Sequence, residues 1–93
     1  VQDARGFMYI ANRKGLNQFD GKNWLPISSP SIIYSLVVDS KGNVFTGGEG
    51  VIGQVTLASD YSLKITPILR NSGNYYFESI SVGSMLYFVA EQE

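Results

Sequence analysis

Two carboxylates, Asp3 and Asp39, stand 36 residues apart in matching contexts, Asp3-Ala4-Arg5-Gly6 and Asp39-Ser40-Lys41-Gly42. Paired acids can hydrolyse a glycoside when their carboxyls lie roughly 5 to 10 Å apart across a cleft, one of them in an apolar pocket. Nothing in this spacing argues for such a pair. Each Asp opens a turn that Gly closes three residues later, and an Asp there accepts hydrogen bonds from backbone N–H groups just ahead of it. Asp3, Gly6, Asp39 and Gly42 are therefore read as turn scaffold, and no catalytic residue is expected. The chain has no His and no Cys, which removes zinc sites, thiolate chemistry and Ser–His or Cys–His nucleophile pairs within it. It also lacks an Asp-x-Asp-x-Asp run for calcium, so neither a metal nor a cofactor is expected. Gly47-Gly48-Glu49-Gly50 is glycine-rich, but with no helix behind it the segment cannot seat a phosphate on a helix N-terminus. It reads as a flexible or tightly bent connection that lets neighbouring units pack closely.

Binding chemistry is better represented. The polar segment Asn12-Arg13-Lys14 and Glu49, at a related place in the next unit, offer directed hydrogen bonds to hydroxyl groups. Tyr75-Tyr76-Phe77 is the densest aromatic cluster, and sugar C–H faces pack on aromatic rings. Asn12, Arg13, Glu49 and Tyr75 are the candidate ligand-binding residues, with an oligosaccharide as the candidate ligand. Phe7, Phe19, Trp24, Phe45 and Phe88 fall on predicted strands and are expected to fill space between units.

The elements that must position these groups are strands. At 93 residues, 44% hydrophobic and 16% charged, the chain is too apolar and too weakly charged to be disordered. Seven basic against eight acidic residues leave a net charge of -1 without a basic patch, so this segment is not expected to bind nucleic acid. No apolar run approaches the roughly 20 residues of a membrane helix, so no membrane insertion by this segment is expected. Helical periodicity is nearly missing. Short β-branched and aromatic runs bounded by Gly, Asn, Asp, Ser or Pro predict nine strands, at residues 7–11, 16–19, 24–27, 32–38, 44–47, 53–57, 63–68, 76–82 and 85–90. Asp20-Gly21 supplies a hairpin turn, and Asp39-Ser40-Lys41-Gly42 a four-residue turn.

The 36-residue echo also decides the architecture. A supersecondary unit repeated at that period cannot bury its own apolar face and must stack on neighbours. Four antiparallel strands in roughly 40 residues is the arithmetic of a propeller blade. The chain is read as all-β, about two blades of a larger β-propeller: residues 1–31 end one blade, 32–74 form a complete blade, and 75–93 begin a third. The strand at 32–38, almost wholly apolar, is expected to be covered on both faces. Remaining blades of the parent propeller, or self-association, are the expected partners.

Gly6-Phe7-Met8-Tyr9-Ile10-Ala11-Asn12, then Lys14-Gly15-Leu16 and Phe19-Asp20-Gly21-Lys22-Asn23-Trp24, resembles the two-component-regulator propeller repeat. Ser35-Leu36-Val37-Val38-Asp39, Gly42-Asn43-Val44-Phe45 and Gly47-Gly48-Glu49-Gly50-Val51-Ile52-Gly53 continue the pattern in register. Tyr76-Phe77-Glu78-Ser79-Ile80 and Leu86-Tyr87-Phe88 resemble the opening of a further blade, although the turn there shortens to Gly83-Ser84 and loses its Asp. That repeat occurs in the sensor region of Bacteroidetes regulators that carry a triple-tyrosine module. The resemblance implies a periplasmic ligand-sensing propeller, upstream of a membrane helix and a kinase or DNA-binding output, that performs no chemistry itself. The alternatives are a propeller enzyme, a polysaccharide lyase or hydrolase with its catalytic residues in other blades, and a protein-interaction propeller. Asp39-Ser40-Lys41-Gly42 is also similar to the Asp-box of sialidase-type propellers, but its spacing differs.

Overall fold

The structure, a computed structural model, describes residues 1–12, 15–27, 32–59, 62–82 and 85–92, without the side chains of 12, 71–75, 77, 80 and 90–92. Among the described residues every element is a strand: β1 (Met8–Asn12), β2 (Gly15–Phe19), β3 (Trp24–Ile27), β4 (Ile33–Val38), β5 (Val44–Leu57), β6 (Leu63–Val82) and β7 (Met85–Gln92). All pair antiparallel, in one sheet ordered β1-β2-β3 and a second ordered β4-β5-β6-β7. The fold class is all-β. Among the described residues the two sheets do not close into a ring.

Alternation drives the packing of the first sheet. In β2, Leu16 and Gln18 point inward while their neighbours are half-buried, as the two-residue period of a strand requires. Tyr9, Leu16 and Ile27, one from each strand of the first sheet, form a single core with Ile33, Val44 and Ile65 of the second. Phe7, Leu36, Val55 and Leu63 pack around it. The sheets are therefore held together by apolar burial in this shared core, at roughly 1.5–3 kcal/mol per large side chain removed from water.

Seven strands appear among the described residues where nine are predicted. The segments 44–47 and 53–57 join into β5, and 63–68 and 76–82 join into β6. The expected connection at Gly47-Gly48-Glu49-Gly50 is thus strand. Gly47 is buried, and a Cβ there would collide with Ser35 Oγ and approach the Tyr76 carbonyl oxygen to 2.7 Å. The glycine serves close passage of β6 rather than a reversal of β5. β4 pairs with β5 as far as Gly48, and β6 takes over from Glu49.

At about 3.3 Å per residue a straight 20-residue strand would span roughly 65 Å, yet the longest dimension of the molecule is 39 Å. β6 must bend. It does so where its register jumps from Arg70 opposite Val51 to Tyr75 opposite Glu49, and again between Tyr76 and Glu78. Such bulges bend the bulged strand and increase its twist. The boundary drawn at 74–75 falls inside this strand.

Two further expectations are corrected. β4 is covered less evenly than expected: Ile33 and Val37 are buried and Leu36 packs against the core, while Tyr34 and the preceding Ile32 are exposed. Trp24 does not fill the space between sheets; it is half exposed and stacks on Phe19, ring centroids 4.7 Å apart. The first sheet has three strands rather than four, but Gln2 forms an antiparallel bridge to Met8 beside it. That bridge sits 36 residues before the Val38–Val44 pair that closes the β4–β5 hairpin.

Candidate functional site

The two Asp turns are the same object built twice. In the first, Asp3 Oδ1 accepts hydrogen bonds from the N–H groups of Arg5 (2.9 Å) and Phe7 (3.1 Å). In the second, Asp39 Oδ1 accepts them from Lys41 (2.9 Å) and Asn43 (2.8 Å). The backbone bonds repeat as well. Gly6 N donates to Asp3 O and Gly42 N to Asp39 O, while Asp3 N donates to Phe7 O and Asp39 N to Asn43 O. Gly6 and Gly42 close the turns at φ 86° and 85°, a left-handed conformation that L side chains adopt only with strain. The turns also touch, since a Cβ on Gly42 would collide with the backbone and Cβ of Ala4.

Beyond the shared core of the motif they differ. Asp3 Oδ2 accepts from Tyr9 Oη (2.8 Å) and from Arg5 Nη2 (2.8 Å) and Nε (3.3 Å). Gln18 Nε2 in turn donates to Tyr9 Oη at 2.8 Å. Gln18 and Tyr9 are each only 3% exposed, so this network satisfies two polar groups inside the core. The Arg5 guanidinium also lies over the Phe7 ring, 4.2 Å from its centroid, within cation–π range. At the second turn Asp39 Oδ2 accepts only from Asn43 Nδ2 (3.1 Å) among the described residues. The aromatic there is Phe45, which has no hydroxyl.

The charges follow from these contacts. Burial opposes ionisation of Asp3, but hydrogen bonds from the side chains of Arg5 and Tyr9 and from the Phe7 and Arg5 N–H groups outweigh it and hold the carboxyl below its ordinary value of 3.8. Burial and the neighbouring Asp3 carboxylate push the Tyr9 phenol above 10. Asp39 is likewise lowered, with its slight burial outweighed by the backbone and side chain of Asn43 and by the Lys41 N–H. A general acid or base works best with a pKa near the operating pH. Asp3 and Tyr9 are shifted away from neutrality in opposite senses, so the network presents fixed hydrogen-bonding groups.

A cleft of about 230 Å³ opens beside the stacked turns, lined by Asp3, Arg5, Tyr9, Lys41, Asn43 and Leu63 among others. A second, of about 240 Å³, shares Arg5 and Leu63 and continues along Gln18, Leu25 and Pro26. Both lie between the two sheets. Among the described residues no three acidic side chains gather as a metal site.

The predicted ligand residues lie elsewhere. Glu49 is exposed on β5 and directly opposite Tyr75 of β6 in register, so these two are brought together. Its N–H donates to Ile32 O at 3.0 Å. Asn12 ends β1 opposite Gly15, in the other sheet; its side chain and that of Tyr75 lie outside the described residues, as does Arg13 altogether. Arg5, Tyr9, Gln18 and Lys41 were not singled out from sequence. The signal was present in the repeat itself, since Arg5 and Lys41 occupy equivalent positions 36 residues apart and face one cleft. Compared with known protein families, curated proteins and solved structures, the chain matches none.

Proposed function

We propose that the chain forms two consecutive units of a ligand-sensing β-propeller, the periplasmic sensor region of a two-component or transcriptional regulator, which binds an oligosaccharide and relays its presence. The observation that carries this reading is the turn repeated bond for bond at 36 residues, its two copies stacked through Ala4 and Gly42. Stacked supersecondary units that share one core are how propellers and solenoids bury apolar faces that no unit can bury alone. The Gln2–Met8 bridge, in the register of Val38–Val44, supports a fourth strand position in the first unit. Turnover is no part of the proposal. Glu49 and Tyr75 are the ligand contacts favoured by their register, with Asn12 and Arg13 on the neighbouring unit.

Calorimetry of the chain against neutral and acidic oligosaccharides tests the reading. Heat of binding that is lost in Glu49→Ala, with the glycans recovered intact, is expected; cleavage products would overturn it. The same reading assigns the exposed side chains Val82, Met85, Tyr87 and Val89 of the β6–β7 hairpin to contact with a further propeller unit or a second copy of the chain. Exposed apolar faces and free strand edges favour association. Sedimentation is expected to show concentration-dependent association, and a sharp monomer at all concentrations would contradict that assignment.

A further inference from the structure

The stacking of the two turns has an electrostatic consequence. Arg5 and Lys41 occupy the same repeat position, and contact between Ala4 and Gly42 brings both cations to one cleft. Arg5 is held in place by Asp3 Oδ2, by Tyr9 Oη at 3.4 Å and by the Phe7 ring. Those contacts use Nε, Nη2 and the face of the guanidinium, and Nη1 has no partner among the described residues. Lys41 forms no ion pair among the described residues. Asp39 is near enough for Lys41 to favour its ionised form, but it does not line the cleft, and its second oxygen is taken by Asn43.

Along the cleft wall one carboxylate, Asp3, therefore stands against two cations. The opposite wall is aliphatic, with Val55, Leu57 and Leu63, and Thr56 among them. We propose that this cleft binds a small organic monocarboxylate, its carboxylate bridging Arg5 and Lys41 and its carbon body against Val55, Leu57 and Leu63. A planar carboxylate suits the donor geometry of a guanidinium. A monoanion suits cations already partly offset by Asp3 and, beside Lys41, by Asp39, whereas the second charge of a phosphate dianion is opposed by those carboxylates. The volume, about 230 Å³, admits a ligand the size of a monosaccharide acid or a short fatty acid. The site stands apart from Glu49 and Tyr75 and does not depend on the oligosaccharide reading.

The test is a titration of the isotope-labelled chain followed by amide and side-chain NMR shifts, using glucuronate, hexanoate, glucose and inorganic phosphate as separate probes. Saturable shifts at Lys41, Asn43 and Leu63 with glucuronate or hexanoate, absent with glucose, are expected. Glucuronate alone would identify an acidic sugar as the source, and hexanoate alone an acyl carboxylate. Lys41→Gln is expected to weaken binding by about fivefold, the scale of one exposed ion pair, and Lys41→Arg to retain it. The Lys41 N–H bond to Asp39 is backbone, so neither variant removes a fold contact. No saturable shift with either carboxylate, equal binding of phosphate, or unchanged affinity in Lys41→Gln would each overturn the proposal.

Discussion

The first and second Asp turns share every backbone bond of the motif, yet one is part of the core and the other sits on its rim. The Asp3 side chain is 7% exposed and bonds Arg5 and Tyr9, and Gln18 joins through the phenol. Asp39 carries the same two backbone N–H groups but reaches only Asn43 with its second oxygen. A repeated motif thus fixes the local chain path in both copies, while one hydroxyl, present in Tyr9 and absent in Phe45, decides whether the turn is tied to the interior. The copies also part company after about a dozen residues. Asn12 and Gly15 close a hairpin in the first unit, whereas Gly48 and Val51 lie on one continuous strand in the second.

The largest test of that contrast is removal of each carboxylate. Asp3→Ala strips two N–H groups, the phenol and the guanidinium of their acceptor, and is expected to cost about 3 kcal/mol. Asp39→Ala loses mainly exposed turn bonds and is expected to cost about 1 kcal/mol. Urea unfolding of the two variants measures both, and equal losses would break the distinction. Next come the glycines. Gly6 has open space around an added Cβ, so Gly6→Ala bears only the left-handed strain of about 1 to 2 kcal/mol. Gly42→Ala bears the same strain and also collides with Ala4, and it should unfold at distinctly lower urea.

How much of this was legible in the chain follows from the range of the interactions. Asp-x-x-Gly turns are made by contacts within four residues, so Asp3, Gly6, Asp39 and Gly42 could be placed from sequence, and so could the all-β class. The fate of Gly47-Gly48-Glu49-Gly50 could not, because Gly47 answers to Ser35 and to Tyr76, which is far along the chain. A glycine run reads as a loop until the strand that needs its missing side chain is known. The exposed position of Trp24 is the same lesson reversed: an aromatic on a strand was assigned to the core, but its stacking partner is Phe19 across a short hairpin. The cleft between the turns was half legible. Arg5 and Lys41 stood at equivalent positions in the repeat, but only the contact of Ala4 with Gly42 shows that the two cations share a space.

A smaller effect isolates the hydroxyl. Tyr9→Phe makes the first turn resemble the second, removing the donor to Asp3 Oδ2 and leaving the buried Gln18 amide without its acceptor. A buried donor left unsatisfied costs about 1 to 3 kcal/mol, and the low end is expected because Arg5 still holds Asp3. Adding Gln18→Leu should recover part of the loss, since the orphaned amide is then gone. If the double variant is no more stable than Tyr9→Phe, the phenol is not what ties this turn to the core.

The weakest signal is the acid response, and its sign is fixed by the carboxylates. Asp3 and Asp39 both have folded values below 3.8, so each contributes stability that is complete above the unfolded value and is lost as pH falls through the folded one. Urea midpoints followed downward from about pH 5 should therefore decline through the carboxylate range. Asp3→Asn is expected to flatten that decline more than Asp39→Asn, because Asp3 Oδ2 bonds a guanidinium and a phenol where Asp39 Oδ2 reaches only the Asn43 amide among the described residues. Salt separates them further: added sodium chloride should screen the exposed Arg5 cation beside Asp3, whereas Asp39, held mainly by neutral N–H groups and the Asn43 amide, should change less. Identical slopes in the two variants would mean that the turns titrate as one class, and that the bonds from Arg5 and Tyr9 add nothing to the ionisation of the first.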